Sequence, residues 1–331
     1  MLLTKMVTLL PFSFCLIVMI SYAFASSLAA SNLTGCLDCS SGCVPEYPSD
    51  VPPIAKTDID PLQFAENLEH LECDFFLWGA FGYGLDRVEP WLVMGGPPPI
   101  GVQKANLDNL TERIIGEFGY QEVGHLRILK TTVGGFPRPL MDLSAKNFAS
   151  LIDQAFGYHL HPPFDPYRNS LSYMIGSYVI PYMGLVAYVG TNPLLTGYFS
   201  KRLLAGLLGV EAGQDAVIRE YLYERAYEYV HPYPITVAEF TIRISKLRNH
   251  LAHCGIKDEG LFVPLELGAE NRTYSNVLSA NYDSISYART PAEVLRVVYD
   301  TGSEHVPGGF YPKGGNGRIA RSYLDDPYVK N

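Results

Sequence analysis

Basic residues are scarce in this 331-residue sequence. Lysine and arginine together number 25, against 34 aspartate and glutamate residues, which gives a net charge of −9 at pH 7. Removing an N-terminal leader would take away one charged residue, Lys5, and bring the net charge to about −10. Because an acidic surface repels nucleic acid and anionic membranes, we expect neither as a partner.

Several motifs of hydrolases and nucleotide-binding proteins are also missing. The sequence has no Gly-x-Ser-x-Gly nucleophile elbow and no frame for a cysteine–histidine pair. Its glycine-rich segment 308–317 lacks the Gly-Lys-Ser/Thr order of a phosphate-binding loop, and we interpret it as a surface loop packed by Phe310 and Tyr311. Nucleophilic serine or cysteine catalysis is therefore not expected.

Long apolar runs are confined to the N-terminus. Residues 1–25 combine a basic start at Lys5, an apolar run at 9–20 and a small-x-small pattern at 23–25, which predicts a cleaved secretory signal peptide. The rival interpretation, a membrane anchor, is disfavoured because a proline and a serine interrupt a run shorter than the ~20 residues of a spanning helix. A proline and several glycines break segment 173–189, so we expect no membrane contact after signal removal.

Three glycosylation acceptor sequences agree with export. They begin at Asn32, Asn109 and Asn271. We therefore expect a secreted glycoprotein, located outside the cell or in the cell wall.

Cysteine is sparse, and its number is odd once the leader is gone. Cys15 lies in the leader, which leaves Cys36, Cys39, Cys43, Cys73 and Cys254. In an oxidising compartment disulfides are favoured over a zinc site, for which no fourth ligand lies in reach. The pairing stays open, and one thiol either is free or joins two chains in a homo-oligomer.

Polar residues interrupt two apolar helical stripes at matching places. A spacing of 3,4,3,4 connects Ile115, Phe118, Glu122, His125 and Leu129, which puts a carboxylate and an imidazole on a core-facing stripe. The same spacing recurs over 204–221, with Glu211 and Gln214 in the corresponding positions. Because an unpaired carboxylate is costly in an apolar interior, these side chains need a hydrogen bond, an ion pair or a metal.

Periodicity and helix breakers predict four long helices, near 60–82, 108–134, 169–188 and 194–229. The first has Asp60 as its N-cap candidate and Pro61 in its first turn. The third should bend at Pro181. A short amphipathic helix is expected over 144–156, and capping boxes predict two more, after Thr236 and Thr290.

The polar pattern resembles a known fold. Asn67-Leu-Glu69 with Phe76 seven residues on, then Glu122-x-x-His125, then Glu211-x-x-Gln214, is similar to the ferritin-like four-helix bundle. That resemblance implies an all-α fold with additional C-terminal helices and loops, and a site for iron or manganese. The metal ligands it implies are Glu69, Glu72, Glu122, His125, Glu211 and Gln214.

Longer strings resemble a narrower family from residue 57 to the C-terminal end. The strings cover 75–84, 95–100, 121–125, 181–190 and 211–219, and resemble the desiccation-related proteins first known from resurrection plants. The implied domains are a signal peptide (1–25), a cysteine-containing lead-in (26–56), a ferritin-like four-helix bundle (57–232) and a C-terminal extension packed on it (233–331).

One feature departs from the metal-site pattern. No aspartate or glutamate occurs between Asp165 and Glu211, so the third helix cannot supply the carboxylate of iron-oxidising members. Its only polar candidates are taken to be Tyr173, Ser177 and Tyr182.

Two functional hypotheses follow. The first is a structural or stress-protective protein with a residual divalent-metal site, whose 23 tyrosines provide hydroxyls for polar networks and for contacts with carbohydrate or the cell wall. The alternative is a dinuclear iron or manganese enzyme acting on oxygen or peroxide. The missing carboxylate favours the first, and no catalytic residue is assigned.

Overall fold

The computed structural model describes residues 54–324, and within this range the protein is all-α, without a β-strand. Its helices are α1 (Lys56–Phe81), α2 (Asn109–Val133), α3 (Ala145–Phe156), α4 (Ser170–Val179), α5 (Pro181–Thr191), α6 (Tyr198–Glu224), α7 (Val237–Ala252), α8 (Pro291–Val298) and α9 (Gly317–Leu324). A single helical turn, Leu85–Val88, follows α1. The predictions for the signal peptide, Asn32 and the three lead-in cysteines lie outside the described residues.

The bundle consists of α1, α2, α6 and the broken helix formed by α4 and α5. Helix α1 packs along α2, and α5 packs against both α1 and α6. The predicted interruption at Pro181 is confirmed, since α4 ends at Val179 and Pro181 opens α5. Proline has no N–H to donate and is therefore tolerated in the first turn of a helix.

Capping side chains and glycines terminate several of the helices. The Asp108 side chain accepts hydrogen bonds from the N–H groups of Leu110 and Thr111, as an N-cap should. Gly82 ends α1 in the left-handed conformation, with φ of 76°. The capping box at Thr290 is present, with Glu293 as its return partner.

The predicted start of α1 is wrong. The helix begins at Lys56, and Pro61 lies inside it. The buried carboxylate near the start belongs to Asp58, and it accepts hydrogen bonds from the N–H groups of Thr196 and Gly197 at 3.0 and 2.7 Å. Because these donors immediately precede α6, Asp58 joins the starts of two bundle helices.

The C-terminal segment packs onto α1. Phe310 and Tyr311 are buried, as the packed-loop interpretation requires, but the loop is also anchored deeply. The hydroxyl of Tyr311 donates to the carbonyl oxygen of Asn67 at 2.7 Å, and the N–H of Asn316 donates to the Asn67 side chain at 2.7 Å. The extension therefore holds the helix that carries Glu69 and Glu72.

One expectation about apolar segments needs correction. Residues 170–194, taken as one continuous helical run, are long and apolar enough to cross a membrane by length and composition. Yet 89% of its apolar 18-residue stretch is buried inside the protein. The apolar character of this run is explained by its place in the core of the bundle.

Candidate metal centre

Three bundle helices bring the polar residues of the stripes into the core. Glu69 and Glu72 are three residues apart on α1, Glu122 and His125 are three apart on α2, and Glu211 and Gln214 are three apart on α6. This spacing places both members of each pair on one helix face. His125 is 7% exposed and the other five are at most 2% exposed.

Four of these side chains converge on one point. Ligand atoms of Glu69, Glu122, His125 and Glu211 lie within 4.8 Å of one another. The Nδ1 atom of His125 is 3.1 Å from Oε2 of Glu69, 3.1 Å from Oε2 of Glu122 and 3.7 Å from Oε1 of Glu211. The structure thus places an imidazole nitrogen among three carboxylates from three helices.

Two neutral side chains donate hydrogen bonds to carboxylates of this cluster. The Gln214 amide donates to Oε1 of Glu122 at 2.5 Å and to Oε1 of Gln121 at 3.1 Å. On the opposite side, the Tyr188 hydroxyl donates to Oε1 of Glu69. Gln214 thus acts through its NH₂ group as a hydrogen-bond donor to a carboxylate, and its Oε1 atom has no hydrogen-bond partner among the described residues.

Glu72 lies beside the four-residue cluster, next to Glu211. Both of its carboxylate oxygens are buried and lack a hydrogen-bond partner in the described structure, as does Oε2 of Glu211. The two carboxylates meet at Gly184 of α5: a Cβ atom there would lie 2.8 Å from Oε2 of Glu211 and 2.9 Å from Oε1 of Glu72. The third helix therefore leaves space at Gly184 for the carboxylates of Glu72 and Glu211.

The electrostatics of the cluster reflect burial and mutual repulsion. Burial, reinforced by the Glu122 carboxylate, raises the pKa of Glu69 to about 8 even though His125 acts the other way. Burial and the neighbouring Glu211 raise the pKa of Glu72 well above its usual range. Burial also raises the pKa of Glu211 to about 7, with His125 opposing the shift. Three of the carboxyl groups thus tend to keep a proton unless a positive charge is nearby.

His125 supplies part of that positive charge. Burial alone would lower the pKa of His125, but the carboxylates of Glu122 and Glu69 outweigh it and raise the pKa above its usual range. One imidazolium still faces four carboxyl groups. The donor set, oxygen-rich with one nitrogen, matches what iron and manganese accept, and the unpaired oxygens of Glu72 and Glu211 leave room for further bonds.

The sequence interpretation missed the true contribution of the third helix. Tyr173, Ser177 and Tyr182 do not reach the cluster: the hydroxyls of Tyr173 and Tyr182 donate to the carbonyl oxygens of Phe75 and Lys257. Its contribution comes from Gly184 and Tyr188, one turn apart in α5. The predicted third helix, which runs to 188, already put these two on one face, but Tyr188 was not counted among its polar candidates.

A bundle of four helices around a buried carboxylate and imidazole cluster defines a ferritin-like protein. The sequence model described as "Ferritin-like domain" matches residues 57–224, and the chain belongs to that family. Among relatives, a protein named ferritin-like catalase Nec2 from Nesocodon mauritianus is 70% identical over 282 residues, covering 85% of this chain and 91% of the relative.

A second relative defines the branch of the family. Desiccation-related protein PCC13-62 from Craterostigma plantagineum is 53% identical over 265 residues, covering 80% of this chain and 85% of the relative. The chain is a desiccation-related ferritin-like plant protein, as the resemblance of its sequence strings indicated. No solved structure matches it.

Proposed function

We propose that this protein binds iron or manganese in the core of the bundle and disproportionates hydrogen peroxide, 2 H₂O₂ → 2 H₂O + O₂. The observation that carries the proposal is the convergence of three buried glutamates and one histidine, with Glu72 beside them and three carboxylate oxygens of Glu72 and Glu211 without hydrogen bonds among the described residues. A relative that is 70% identical and named a catalase supports the same reaction class. The sequence favoured a structural role because the third helix has no carboxylate. We now favour the enzyme hypothesis, because Glu72 would provide a fourth carboxylate beside the cluster.

The chain's own residues would bind the ion and manage protons. Glu69, Glu122, His125 and Glu211 would hold it, and Glu72 would extend the site toward a second ion. A bound iron or manganese ion supplies the electron exchange between two peroxide molecules. Glu72, which lies beside the four ligands and has no hydrogen-bond partner among the described residues, would accept a peroxide proton when ionised and return it. Gln214 and Tyr188 keep Glu122 and Glu69 in position.

Metal content and oxygen release test this proposal together. The mature full-length protein, loaded with Mn²⁺ or Fe²⁺, is expected to release O₂ from H₂O₂ at an electrode. Glu122→Gln and His125→Ala should lose bound metal by elemental analysis and lose O₂ release by at least ~100-fold, since each removes a ligand. Glu117→Gln, an exposed change on the same helix, is the matched control and should retain both. Undiminished O₂ release from the His125→Ala protein would refute the proposal.

A structural role is the second candidate, and the hydrogen bonds from Gln214 to Glu122 and from Tyr188 to Glu69 favour it. In that case the cluster fixes helix register without metal. Glu122→Gln would then lower the free energy of unfolding of the metal-free protein by about 1 to 3 kcal/mol. A metal site predicts instead that the metal-free protein is unchanged or stabilised, because the change relieves repulsion between carboxylates.

Export is a separate proposal. From the leader pattern and the acceptor sequences, we infer a secreted, stress-related protein that contacts neither nucleic acid nor membrane and meets the carbohydrate of the cell wall. N-terminal sequencing of protein from plant tissue should give a mature start near Ser26. Recovery of the chain from cytosol with Met1 intact would contradict it.

A further inference from the structure

An apolar groove runs from the candidate metal centre along the outside of the bundle. It encloses about 720 Å³ between α2 and α6, and His125 is the residue of the cluster that lines it. Beyond His125 its walls are mainly apolar, from Ile54, from Ile128 of α2 and from Leu203, Leu207 and Val210 of α6, and polar groups come from Thr131, Thr132 and Arg202. Nδ1 of His125 faces the carboxylates while the residue also lines the groove, so His125 lies where the groove meets the cluster.

The groove is far too large for hydrogen peroxide alone. A water molecule occupies ~30 Å³ of liquid, and peroxide has only one oxygen atom more. Along α6 the lining extends from Val210 back to Phe199, which is ~16 Å at 1.5 Å per residue. This volume falls in the range of sites that hold organic molecules with an apolar body.

We propose that the groove binds neutral organic hydroperoxides, R–OOH, with the apolar R group between α2 and α6 and the peroxide group at His125. This inference rests on the proposed peroxide chemistry and widens its substrate class. The balanced reaction is R–OOH + H₂O₂ → R–OH + H₂O + O₂. The O–O bond of the organic peroxide breaks and takes up two electrons, H₂O₂ is oxidised to O₂, and its two protons pass to the alcohol and water oxygens.

The helix offers a matched pair of glycines for the test. Gly206 lines the groove, whereas Gly209, one turn further on, is exposed and outside it. A Cβ atom at either position would meet no atom of the described residues within 4 Å, and leucine improves helix propensity equally at both. Gly206→Leu fills the groove, and Gly209→Leu is the control.

Cumene hydroperoxide is the probe for turnover and cumyl alcohol the probe for binding. For the metal-loaded wild type we expect conversion of cumene hydroperoxide to cumyl alcohol in the presence of H₂O₂. In Gly206→Leu the ratio of the cumene hydroperoxide rate to the H₂O₂ rate should fall about tenfold or more, and in Gly209→Leu it should not change. Calorimetry should likewise show cumyl alcohol binding to the wild type and to Gly209→Leu, with the affinity lost in Gly206→Leu.

The two readouts separate this inference from the proposed function. If cumyl alcohol binds as expected while no variant releases O₂ from H₂O₂, the groove binds its ligand and the catalytic proposal fails. If H₂O₂ is consumed but cumene hydroperoxide is not converted and cumyl alcohol does not bind, the groove proposal is overturned. A wild type that is dimeric by gel filtration and does not bind cumyl alcohol overturns it as well.

Discussion

Gly184 lies where α5 comes closest to the carboxylates of Glu72 and Glu211. Without a side chain at this position, α5 leaves room for both carboxylates, one from α1 and one from α6. Tyr188, one turn further on, holds Glu69 from the same helix. At the scale of residues, the site therefore depends on what α5 leaves out as much as on what it supplies.

We expect Gly184→Ala to weaken Mn²⁺ binding about 10- to 100-fold, because the new methyl group displaces the two carboxylates that it would contact. Gly209→Ala is the matched control, since its Cβ would meet no atom of residues 54–324 within 4 Å. It should raise the free energy of unfolding by about 0.5 to 1 kcal/mol through helix propensity alone. Titration calorimetry with Mn²⁺ and denaturant unfolding measure the two effects. Equal Mn²⁺ affinity in both variants would show that Mn²⁺ binding does not depend on the absence of a side chain at Gly184.

At the scale of elements, polar contacts distant in sequence decide how the helices meet. Asp58 of α1 accepts from Thr196 and Gly197, 138 and 139 residues away, and so fixes the start of α6 beside that of α1. The loop before α9 does the same for the middle of α1 through Tyr311 and Asn67. Each contact positions a helix that carries residues of the carboxylate cluster.

Asp58→Ala should lower the free energy of unfolding by about 1 to 3 kcal/mol at pH 7, because it leaves the donors before α6 without a partner. Burial acts to raise the pKa of Asp58, but the Thr196 and Gly197 N–H groups lower it to about 2, below its ordinary value of 3.8. Since the pKa is depressed in the folded state, this stabilisation is present above pH 3.8 and is lost as the pH falls toward 2.

Denaturant unfolding of the wild type and of Asp58→Ala at pH 7 and near pH 2 tests this. The difference in free energy of unfolding between the two proteins should be smaller near pH 2. Asp60→Ala is the control, since its ion pair with Arg318 is largely exposed and such pairs contribute little. A stability difference for Asp58→Ala that is the same at both pH values would contradict the assignment.

At the scale of the whole molecule, the metal-free bundle buries several carboxyl groups whose ionised forms are unfavourable in its interior. The raised pKa values of Glu69 and Glu211 mean that the folded state holds protons which the unfolded chain releases near the usual glutamate value of 4.5. A group with a raised pKa destabilises the fold progressively as the pH rises from its unfolded to its folded value. Glu66 behaves in the same way outside the cluster, because burial raises its pKa to about 7 despite Lys130.

We expect the melting temperature of the metal-free protein to fall as the pH rises from about 5 to about 8. Mn²⁺ competes with protons for the carboxylates, so the metal-induced rise in melting temperature should grow over the same interval. Differential scanning fluorimetry at several pH values with and without Mn²⁺ measures both trends. The metal-dependent difference, to which Glu66 does not contribute, is the test of the cluster, and its constancy with pH would count against a carboxylate metal site.

The sequence by itself determined much of the local structure. Apolar stripes interrupted by Glu122, His125, Glu211 and Gln214 placed these side chains in the core, and the structure has all four buried. The capping box at Thr290 gave a correct helix start, because a cap needs only neighbours within one turn. The family resemblance gave the all-α, ferritin-like fold.

Only the tertiary structure decided which residues complete the cluster. Tyr188 and Glu69 are 119 residues apart, and nothing in local periodicity states that α5 approaches α1 there. The same holds for Glu72, whose carboxylate can enter the site only because Gly184 lies opposite it. Sequence patterns specify which face of a helix is buried, whereas the distances between faces depend on packing across the whole bundle.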